Sequence, residues 1–350
     1  MAEPRLSAYL HQKAARLGQP CSGTFELTPR CNFDCKMCYV HLSAAEQKRR
    51  GQELTSDEWL SIGEAACREG MVFLLLTGGE PTLRPDFMEI YAGLKRMGLL
   101  VSINSNGYLL QGELLQRLLD DPPHRVNITL YGVSNETYEA LCGVPAYDTV
   151  LKNIRALREA DIDVKLNLTM TPENQQQREQ IAAKARELGA HLQTSTYLFP
   201  PVRVTGSCEF PERMCPEEAG RMEAERLRAS MTDEQFRLFL QTLHIDEDPE
   251  NECMNCRAGR SAFWLSWDGK LMPCGMLPYP IADVRAAGFQ TAWQQVRDQV
   301  KVIRFPNKCQ SCRVRSLCHI CLAKCYTETL GFTEAPTYAC RMTEALIKAL

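Results

Sequence analysis

The sequence predicts an α/β protein: a partial (β/α)6 barrel of the TIM type, followed by a small cysteine-rich domain. Between residues 22 and 205, short β-rich runs alternate with longer amphipathic stretches, which implies a parallel sheet with helices on its faces. Nine of the 17 cysteines lie between positions 253 and 340. A chain of 350 residues suits one large domain and a smaller one. A doubly wound sheet is the alternative, and in both folds the functional groups lie at the C-terminal ends of strands.

Six strand–helix units account for the first 200 residues. The predicted strands span residues 24–27, 73–76, 101–104, 126–130, 164–170 and 191–196. The helices between them are predicted at 56–69, 84–97, 109–119, 135–141 with 149–160, and 174–188. Thr55 or Ser56, with Glu58 following, is a helix N-cap signal for the first of these helices.

Composition divides the chain into four parts. Residues 1–20 form an N-terminal segment, 21–205 the barrel, 206–250 a helical bridge rich in Glu, Arg and Met, and 251–350 the cysteine-rich domain. The last part has few core-forming residues for its length, so bound metal is expected to supply much of its stability. Within it, FWLSWDGKLMPCGM predicts a β-hairpin with an Asp268-Gly269 turn.

Charge and hydropathy exclude several classes of partner. The formal net charge is −3, which gives no basic footprint for nucleic acid. The N-terminus has no apolar core typical of a signal peptide, and the longest apolar run, residues 71–77, is too short to span a bilayer. We therefore expect a cytoplasmic protein with no membrane or nucleic-acid partner. In a reducing compartment, cysteines are more often metal ligands or catalytic groups than disulfides.

Three cysteines in CNFDCKMCY form a C-x3-C-x2-C triad on a loop after the first strand: Cys31, Cys35 and Cys38. Structural zinc sites usually have four ligands, and His41 is the only nearby residue that could be the fourth. A four-iron cluster held by three thiolates keeps one iron open to an outside ligand, which allows it to bind and reduce a small molecule. Zinc bound with His41, and three buried loop cysteines without metal, are the alternatives.

A second motif, Thr77-Gly78-Gly79-Glu80-Pro81, follows the next strand. Two adjacent glycines let the backbone approach a ligand closely, and Glu80 offers a carboxylate to an ammonium group. Alone the motif is a tight turn between a strand and a helix. Together with the cysteine triad on the preceding loop, the motif is a specific signal for a ligand-binding site.

Together, CNFDCKMC and TGGEP resemble the radical S-adenosylmethionine (SAM) superfamily. The resemblance implies a 4Fe–4S cluster on Cys31, Cys35 and Cys38, whose fourth iron chelates the amino and carboxylate groups of SAM. Cleavage of SAM then gives methionine and a 5′-deoxyadenosyl radical that abstracts hydrogen from the substrate. A flavodoxin- or ferredoxin-type protein is the implied electron donor.

The resemblance also implies residues that bind SAM. They are Gly78, Gly79, Glu80 and Pro81 at the amino group, Asn104, Ser105, Asn106 and Asn167 near the ribose, and Tyr39 near the adenine. Tyr39 takes this role because Met37 occupies the position before the third cysteine, which is often aromatic in the family. Cys142-Gly143 occurs where the family often has an Arg-Gly pair, and Cys142 is expected to be an ordinary loop residue. No catalytic side chain is predicted; Tyr131 and Tyr197 are expected to pack in the core.

The C-terminal cysteines resemble the SPASM extension of radical SAM enzymes, which carries two auxiliary 4Fe–4S clusters. The resemblance implies one set of ligands formed by Cys253, Cys256, Cys274 and either Cys321 or Cys325, and a second formed by Cys309, Cys312, Cys318 and Cys340. Two fully ligated clusters need eight thiolates, so one of Cys318, Cys321 and Cys325 is expected to be spare. A zinc knuckle is the alternative.

SPASM enzymes act mostly on peptides, so the resemblance implies a peptide or protein substrate and an oxidative thioether or carbon–carbon crosslink. Because only 30 residues precede Cys31, a separate leader-peptide recognition protein is a further expected partner. Two other enzymatic functions are tailoring of a small molecule, such as a haem or cofactor precursor, and anaerobic sulfatase maturation. The Gly275-Met276 pair after Cys274 weakens the latter. The alternative of another class is a non-catalytic iron–sulfur or zinc protein. The TGGEP motif and the three-cysteine triad argue against it, because a protein that only binds or carries electrons needs neither.

Overall fold

A computed structural model describes residues 6–40, 42–202, 212–242 and 256–350. Within these ranges, nine strands form one sheet in the order β6-β5-β4-β3-β2-β1-β7-β8-β9. The strands are β1 Ser22–Glu26, β2 Phe73–Thr77, β3 Leu100–Ser105, β4 Arg125–Thr129, β5 Val164–Thr169, β6 His191–Ser195, β7 Ala262–Leu265, β8 Lys270–Met272 and β9 Ala282–Asp283. β1 to β6 are all parallel, each beside its neighbour in sequence, which confirms the predicted α/β fold with a partial barrel.

The helices on the barrel confirm the alternating pattern. The helices of the first 242 residues are α1 Leu6–Leu17, α2 Ala44–Arg50, α3 Ser56–Arg68, α4 Phe87–Arg96, α5 Gly112–Asp120, α6 Asn135–Cys142, α7 Tyr147–Glu159, α8 Arg178–Glu187, α9 Pro216–Ala229 and α10 Asp233–Thr242. Thr55 caps α3, with Glu58 completing a capping box. α4 begins at Phe87 rather than at the predicted residue 84, because Pro85 disfavours helical backbone at Arg84.

Side chains alternate between the two faces of the barrel sheet. The residues packed in the hydrophobic core include Leu74, Leu76, Val101, Ile103, Val126, Ile128, Leu166 and Leu168. The intervening residues of β3, β4 and β5 are half-buried and mostly polar: Ser102, Asn104, Arg125, Asn127, Thr129, Lys165, Asn167 and Thr169. Because successive side chains of a strand point to opposite faces, this second set forms the inner face of the barrel.

The cysteine-rich segment shares the sheet and the core of the barrel. Its predicted hairpin is confirmed as β7 and β8, with Gly269 at a φ of 85° in the turn. β7 lies parallel to β1, which extends the barrel sheet. Phe289 and Trp293 of the segment pack in the same core as Phe25 of β1. The segment therefore draws stability from barrel packing as well as from any bound metal.

Six helices follow the hairpin in the described range, and the last four of them contain cysteines. They are α11 Val284–Ala287, α12 Phe289–Val300, α13 Asn307–Gln310, α14 Arg315–Cys318, α15 Leu322–Thr329 and α16 Thr337–Ala349. α16 packs against α9, and Tyr338 donates a hydrogen bond to the backbone oxygen of Met214. None of the helices in the described ranges combines the length and apolar character needed to cross a bilayer.

Three sequence-based predictions fall outside the described residues. His41, the possible zinc ligand, is one, and Cys253, an implied auxiliary ligand, is another. The predicted helical bridge is described only from residue 212 to 242, where the structure has the helices α9 and α10.

Candidate functional site

The cysteine triad lies on the loop that follows β1 and is anchored by apolar side chains. Phe33, Met37 and Val40 are buried, whereas the three thiols are half-buried. The three apolar anchors are spaced four and then three residues apart, and each follows one of the cysteines by two positions. Because of this constant offset, the thiols and the anchors point in different directions. The loop thus presents three thiols from a fixed base.

The first thiol has two hydrogen-bond donors. The Phe33 backbone N–H lies 3.4 Å from Cys31 Sγ, and the Asn106 side-chain amide lies 3.8 Å from it. Burial, together with the charges of Glu80, Cys35 and Cys38, raises the pKa of the Cys31 thiol to about 12, although the Phe33 N–H acts in the opposite direction. The three sulfurs are therefore close enough to interact electrostatically, and a cluster or metal ion would displace their protons on binding.

The glycines of the TGGEP motif are required by the loop beside them. A Cβ at Gly78 would lie 2.4 Å from the Thr28 backbone oxygen, and one at Gly79 would lie 2.3 Å from that of Arg30. Gly79 N–H donates to Thr28 O, and Glu80 N–H donates to Arg30 O, both at 2.8 Å. Both glycines thus permit close packing of the motif against the backbone that leads into Cys31.

Glu80 is buried and its carboxylate has partners within the chain. It accepts hydrogen bonds from Thr82 N–H and Oγ1 at 3.1 and 2.6 Å, from Ser105 Oγ at 3.1 Å and from Asn106 N–H at 2.8 Å. Burial raises the pKa of Glu80, and these donors act in the opposite direction. The carboxylate therefore joins the loop after β2, where Pro81 begins a buried 3-10 turn, to the end of β3.

Asn106 connects all three motifs of the barrel. Its side-chain amide donates to Asn32 Oδ1 at 2.8 Å, beside Cys31, and its Oδ1 accepts from Tyr108 N–H at 3.0 Å. Its backbone N–H reaches Glu80, as described above. The structure thus brings together the cysteine loop, the TGGEP motif and the Asn104-Ser105-Asn106 segment, which the sequence placed at three neighbouring strand ends.

Two further asparagines lie side by side on the inner face. Asn127 of β4 donates from Nδ2 to Oδ1 of Asn104 at 2.7 Å, and the two residues are register partners. Asn167 lies on the same face of β5, in register with Thr129. Asn127 was missed by sequence analysis, although its place in an alternating strand two residues before Thr129 is a signal that could have found it.

A buried arginine stabilises the backbone that leads into the cysteine loop. Arg84 donates to the backbone oxygens of Leu27 and Leu54 at 2.9 and 3.0 Å, and it pairs with Glu53 and Asp86. Glu53 in turn binds Arg30 at 3.0 Å, one residue before Cys31. Sequence analysis missed this network because its members are spread between residues 27 and 86, on segments that only the fold brings together.

Cys142 is a buried residue at the end of α6 rather than a loop residue, and it contacts the cysteine triad. Its thiol lies next to that of Cys35 and raises the pKa of the Cys35 thiol. Tyr131 is next to the same thiols and packs edge-on against Tyr138. Burial raises the pKa of Tyr131 well above its usual range, and the charges of Cys35, Cys142 and Cys38 raise it further.

The C-terminal thiols separate into two groups. Cys256, Cys274 and Cys321 interact electrostatically with one another. The second group is Cys309, Cys312, Cys318 and Cys340. Cys325 is fully buried between the groups, where its thiol interacts with those of Cys309, Cys321 and Cys318. Among the residues that the structure describes, no three His, Cys, Asp or Glu side chains converge closely enough to hold a single metal ion.

Tyr197 packs in the core, as the sequence predicted. Its hydroxyl donates to Glu328 Oε1 at 2.6 Å, and Arg213 lies over its ring, 4.6 Å from the centroid, while also binding Glu328. The guanidinium also lies over the ring of Tyr338, 3.3 Å from its centroid, and the two tyrosine rings pack edge to face. This cluster joins the segment after β6 to α15 and α16.

Residues 25–185, which carry the triad and TGGEP, match the family model described as the Radical SAM superfamily. The protein carries a radical SAM domain. This assignment confirms the family predicted from the cysteine and glycine motifs. It also excludes the non-catalytic binding protein that was the alternative of another class.

Two curated relatives cover different parts of this radical SAM enzyme. The "AdoMet-dependent heme synthase" of Methanosarcina barkeri is 28% identical over 337 residues, which span 90% of this chain and 94% of the relative. The "Probable GTP 3′,8-cyclase" of Saccharolobus solfataricus is 32% identical over 179 residues, 50% of this chain and 56% of the relative. The first similarity therefore extends through both the barrel and the cysteine-rich segment.

A solved structure shares the fold over nearly the whole chain. SuiB of Streptococcus suis, solved with bound S-adenosylmethionine, superposes with a TM-score of 0.68 at 15% identity, covering 94% of this chain and 80% of SuiB. SuiB has also been solved with its precursor peptide SuiA, and that structure gives a TM-score of 0.66 at 16% identity over 89% of this chain and 74% of SuiB. At this identity the likeness supports the fold alone.

Proposed function

We propose that this radical SAM enzyme acts on a small molecule of the haem pathway. The observation that carries the proposal is the similarity to the Methanosarcina barkeri haem synthase, which spans nearly the full length of both chains. The peptide-crosslinking function, which the SPASM-like cysteines led us to expect, has support only from a shared fold at 15% identity. The small-molecule alternative is therefore favoured.

Cys31, Cys35 and Cys38 would hold the 4Fe–4S cluster. The fit rests on three half-buried thiols on one anchored loop, and on the two N–H donors directed at Cys31. When bound there with SAM, the cluster would supply a 5′-deoxyadenosyl radical that abstracts hydrogen from the substrate. SAM would approach the cluster from the side of the TGGEP motif, because this motif packs against the backbone that precedes Cys31.

The residues proposed for the SAM site fall into those that would contact SAM and those that would hold the contacting residues in place. Gly78, Gly79 and Pro81 would border its amino group, and Glu80 would hold their loop against β3, because its carboxylate is occupied within the chain. Asn104 and Asn167 would face the ribose from the inner face, with Asn127 orienting Asn104. The remaining proposed contacts are Ser105, Asn106 and Tyr39, of which Tyr39 is half-buried beside Cys38.

The C-terminal groups would hold two auxiliary 4Fe–4S clusters. Cys253, Cys256, Cys274 and Cys321 would bind the first, and Cys309, Cys312, Cys318 and Cys340 the second. The separation of the described thiols into these sets supports this division, and the burial of Cys325 between them supports its assignment as the spare cysteine. Such clusters can accept an electron after hydrogen abstraction, which would make the net reaction oxidative.

Turnover with defined substrates tests the proposal. The anaerobically reconstituted enzyme would be reduced with dithionite and incubated with SAM and either a set of haem precursors or a set of cysteine-containing peptides. We expect a haem precursor to stimulate 5′-deoxyadenosine formation and to change in mass, and Cys31→Ala to abolish both. Stimulation by peptides with no response to any haem precursor would overturn the proposal in favour of peptide modification.

A further inference from the structure

Cys142 occupies an unusual position for a cysteine with no assigned role. It is fully buried at the last residue of α6, and Gly143 follows in the left-handed conformation at a φ of 73°. The backbone of this turn holds the triad loop: Asp34 N–H donates to Cys142 O and Lys36 N–H donates to Leu141 O, each at 3.0 Å. Cys35 is therefore clamped between two hydrogen bonds opposite Cys142.

The clamp places the Cys142 side chain beside that of Cys35, close enough for each thiol to influence the other's ionisation. If Cys35 binds iron as a thiolate, it has no proton to donate, so the proton of the pair must belong to Cys142. Cys142 is fully buried, which keeps water from competing for a hydrogen bond from it to Cys35. Cys31, by comparison, takes its donors from a backbone N–H and from Asn106.

We propose that Cys142 is a positioning residue that donates its S–H to the Cys35 sulfur and thereby raises the reduction potential of the triad cluster. Reduction adds negative charge to a cluster and its sulfurs, so a donor stabilises the reduced state more than the oxidised state. The inference rests on the proposed placement of the cluster on Cys31, Cys35 and Cys38. It adds a residue outside the C-x3-C-x2-C motif to the control of electron entry.

Redox titration of the reconstituted holoenzyme tests this role. The reduced cluster of the triad is identified as the electron paramagnetic resonance signal that changes when SAM is added. We expect Cys142→Ala to keep its full iron content and to shift the midpoint potential of that signal to a more negative value. Cys142→Ser retains a hydroxyl donor and should return the potential toward that of the wild type.

Cys21→Ala is the matched control, because Cys21 is a buried thiol that belongs to none of the cysteine groups. An unchanged potential in Cys142→Ala, equal to that of Cys21→Ala, would overturn the inference and leave the proposed function intact. Loss of about four irons per chain in Cys142→Ala would overturn it too, since Cys142 would then be a cluster ligand. A wild-type protein with no SAM-responsive signal would instead refute the placement of the cluster itself.

Discussion

At the scale of single residues, the barrel motifs depend on side chains that bridge loops rather than on the motif residues alone. Asn106 bonds to Asn32 with its side chain and to Glu80 with its backbone, so one residue fixes the relative position of two binding loops. Glu80 does the same between β2 and β3. The sequence identified both residues as candidates for SAM contact, whereas the structure also gives each a supporting role within the chain.

Asn106→Ala should weaken SAM binding while leaving the fold intact. The change removes the side-chain bonds to Asn32, Cys31 and Tyr108, which hold the loops together at about 1 kcal/mol each. We expect about half of that loss to appear as the cost of ordering the loops when SAM binds, so SAM affinity should fall roughly tenfold, or about 1.4 kcal/mol. Anaerobic calorimetry of SAM binding to the reconstituted protein measures this. Asn135→Ala, which removes a hydrogen bond to Asp148 at the surface, is the control and should bind SAM as the wild type does. Equal affinities in both variants would contradict the prediction.

At the scale of secondary-structure elements, each loop at the barrel mouth is held by a neighbour distant in sequence. Arg84, after the 3-10 turn, supports the loop after β1, and the end of α6 clamps Cys35. In the C-terminal segment, α15 separates Cys321 from Cys325, although only three residues lie between them. Cys321 precedes the helix and faces Cys256 and Cys274, whereas Cys325 lies within it and is buried.

Arg84→Met should be among the most destabilising single changes in the barrel. Arg84 is 6% exposed, and its removal leaves the backbone oxygens of Leu27 and Leu54 and the carboxylate of Asp86 without their partner. Loss of one partner of a buried ion pair costs about 3–5 kcal/mol. Urea unfolding under anaerobic conditions gives the free energy of unfolding. Arg155→Met removes the exposed pair with Glu187 and should cost no more than about 1 kcal/mol. Similar losses in the two variants would refute the role of Arg84.

Iron analysis separates the roles of Cys321 and Cys325. We expect Cys321→Ala to lose up to about four irons per chain, because Cys321 is the described thiol that joins Cys256 and Cys274. Cys325→Ala should retain about twelve, the content of three clusters. Loss of iron from Cys325→Ala alone would contradict this prediction, since Cys325 would then be the cluster ligand and Cys321 the spare cysteine. Substantial zinc in the wild type would contradict both.

At the scale of the whole molecule, the two cysteine-bearing regions share one sheet and one hydrophobic core. β7 extends the barrel sheet beside β1, so Trp264 of β7 lies in register with Thr24 and donates from its indole N–H to Glu26 at 2.9 Å. The ring of Trp264 also packs on Gly275, next to Cys274. The group of Cys256, Cys274 and Cys321 is thereby fixed relative to the strand that leads into the triad.

His11 joins the first helix to the cysteine-rich segment, and its titration should appear in the stability of the whole chain. Its Nδ1 lies 2.9 Å from Ser261 Oγ, and burial, with a contribution from Arg257, lowers the His11 pKa to about 4. In the unfolded chain the His11 side chain therefore binds a proton below about pH 6.5, whereas in the folded chain it binds one only below about pH 4. We expect the free energy of unfolding to fall by on the order of 2–3 kcal/mol across this interval.

Urea unfolding at a series of pH values measures the effect of His11. His11→Gln retains a polar side chain that does not titrate, so its stability should change less between pH 6.5 and 4 than that of the wild type. Parallel curves for the two proteins would show that His11 is not the group responsible. Gln12→Ala, at an exposed position of the same helix whose side chain does not titrate, provides the control variant, and its curve should run parallel to that of the wild type over this interval.

The sequence by itself determined the six strands, the family and the residues of the triad and TGGEP. These features depend on local patterns: the alternation of apolar and polar residues, the spacing of cysteines and the need for glycine at close backbone contacts. The tertiary structure alone decided that Cys142 meets Cys35, that Asn127 orients Asn104, that Cys321 and Cys325 separate, and that β7 joins β1. Most of these contacts join residues far apart in sequence, and their partners are chosen by packing in the folded chain, which no local pattern encodes.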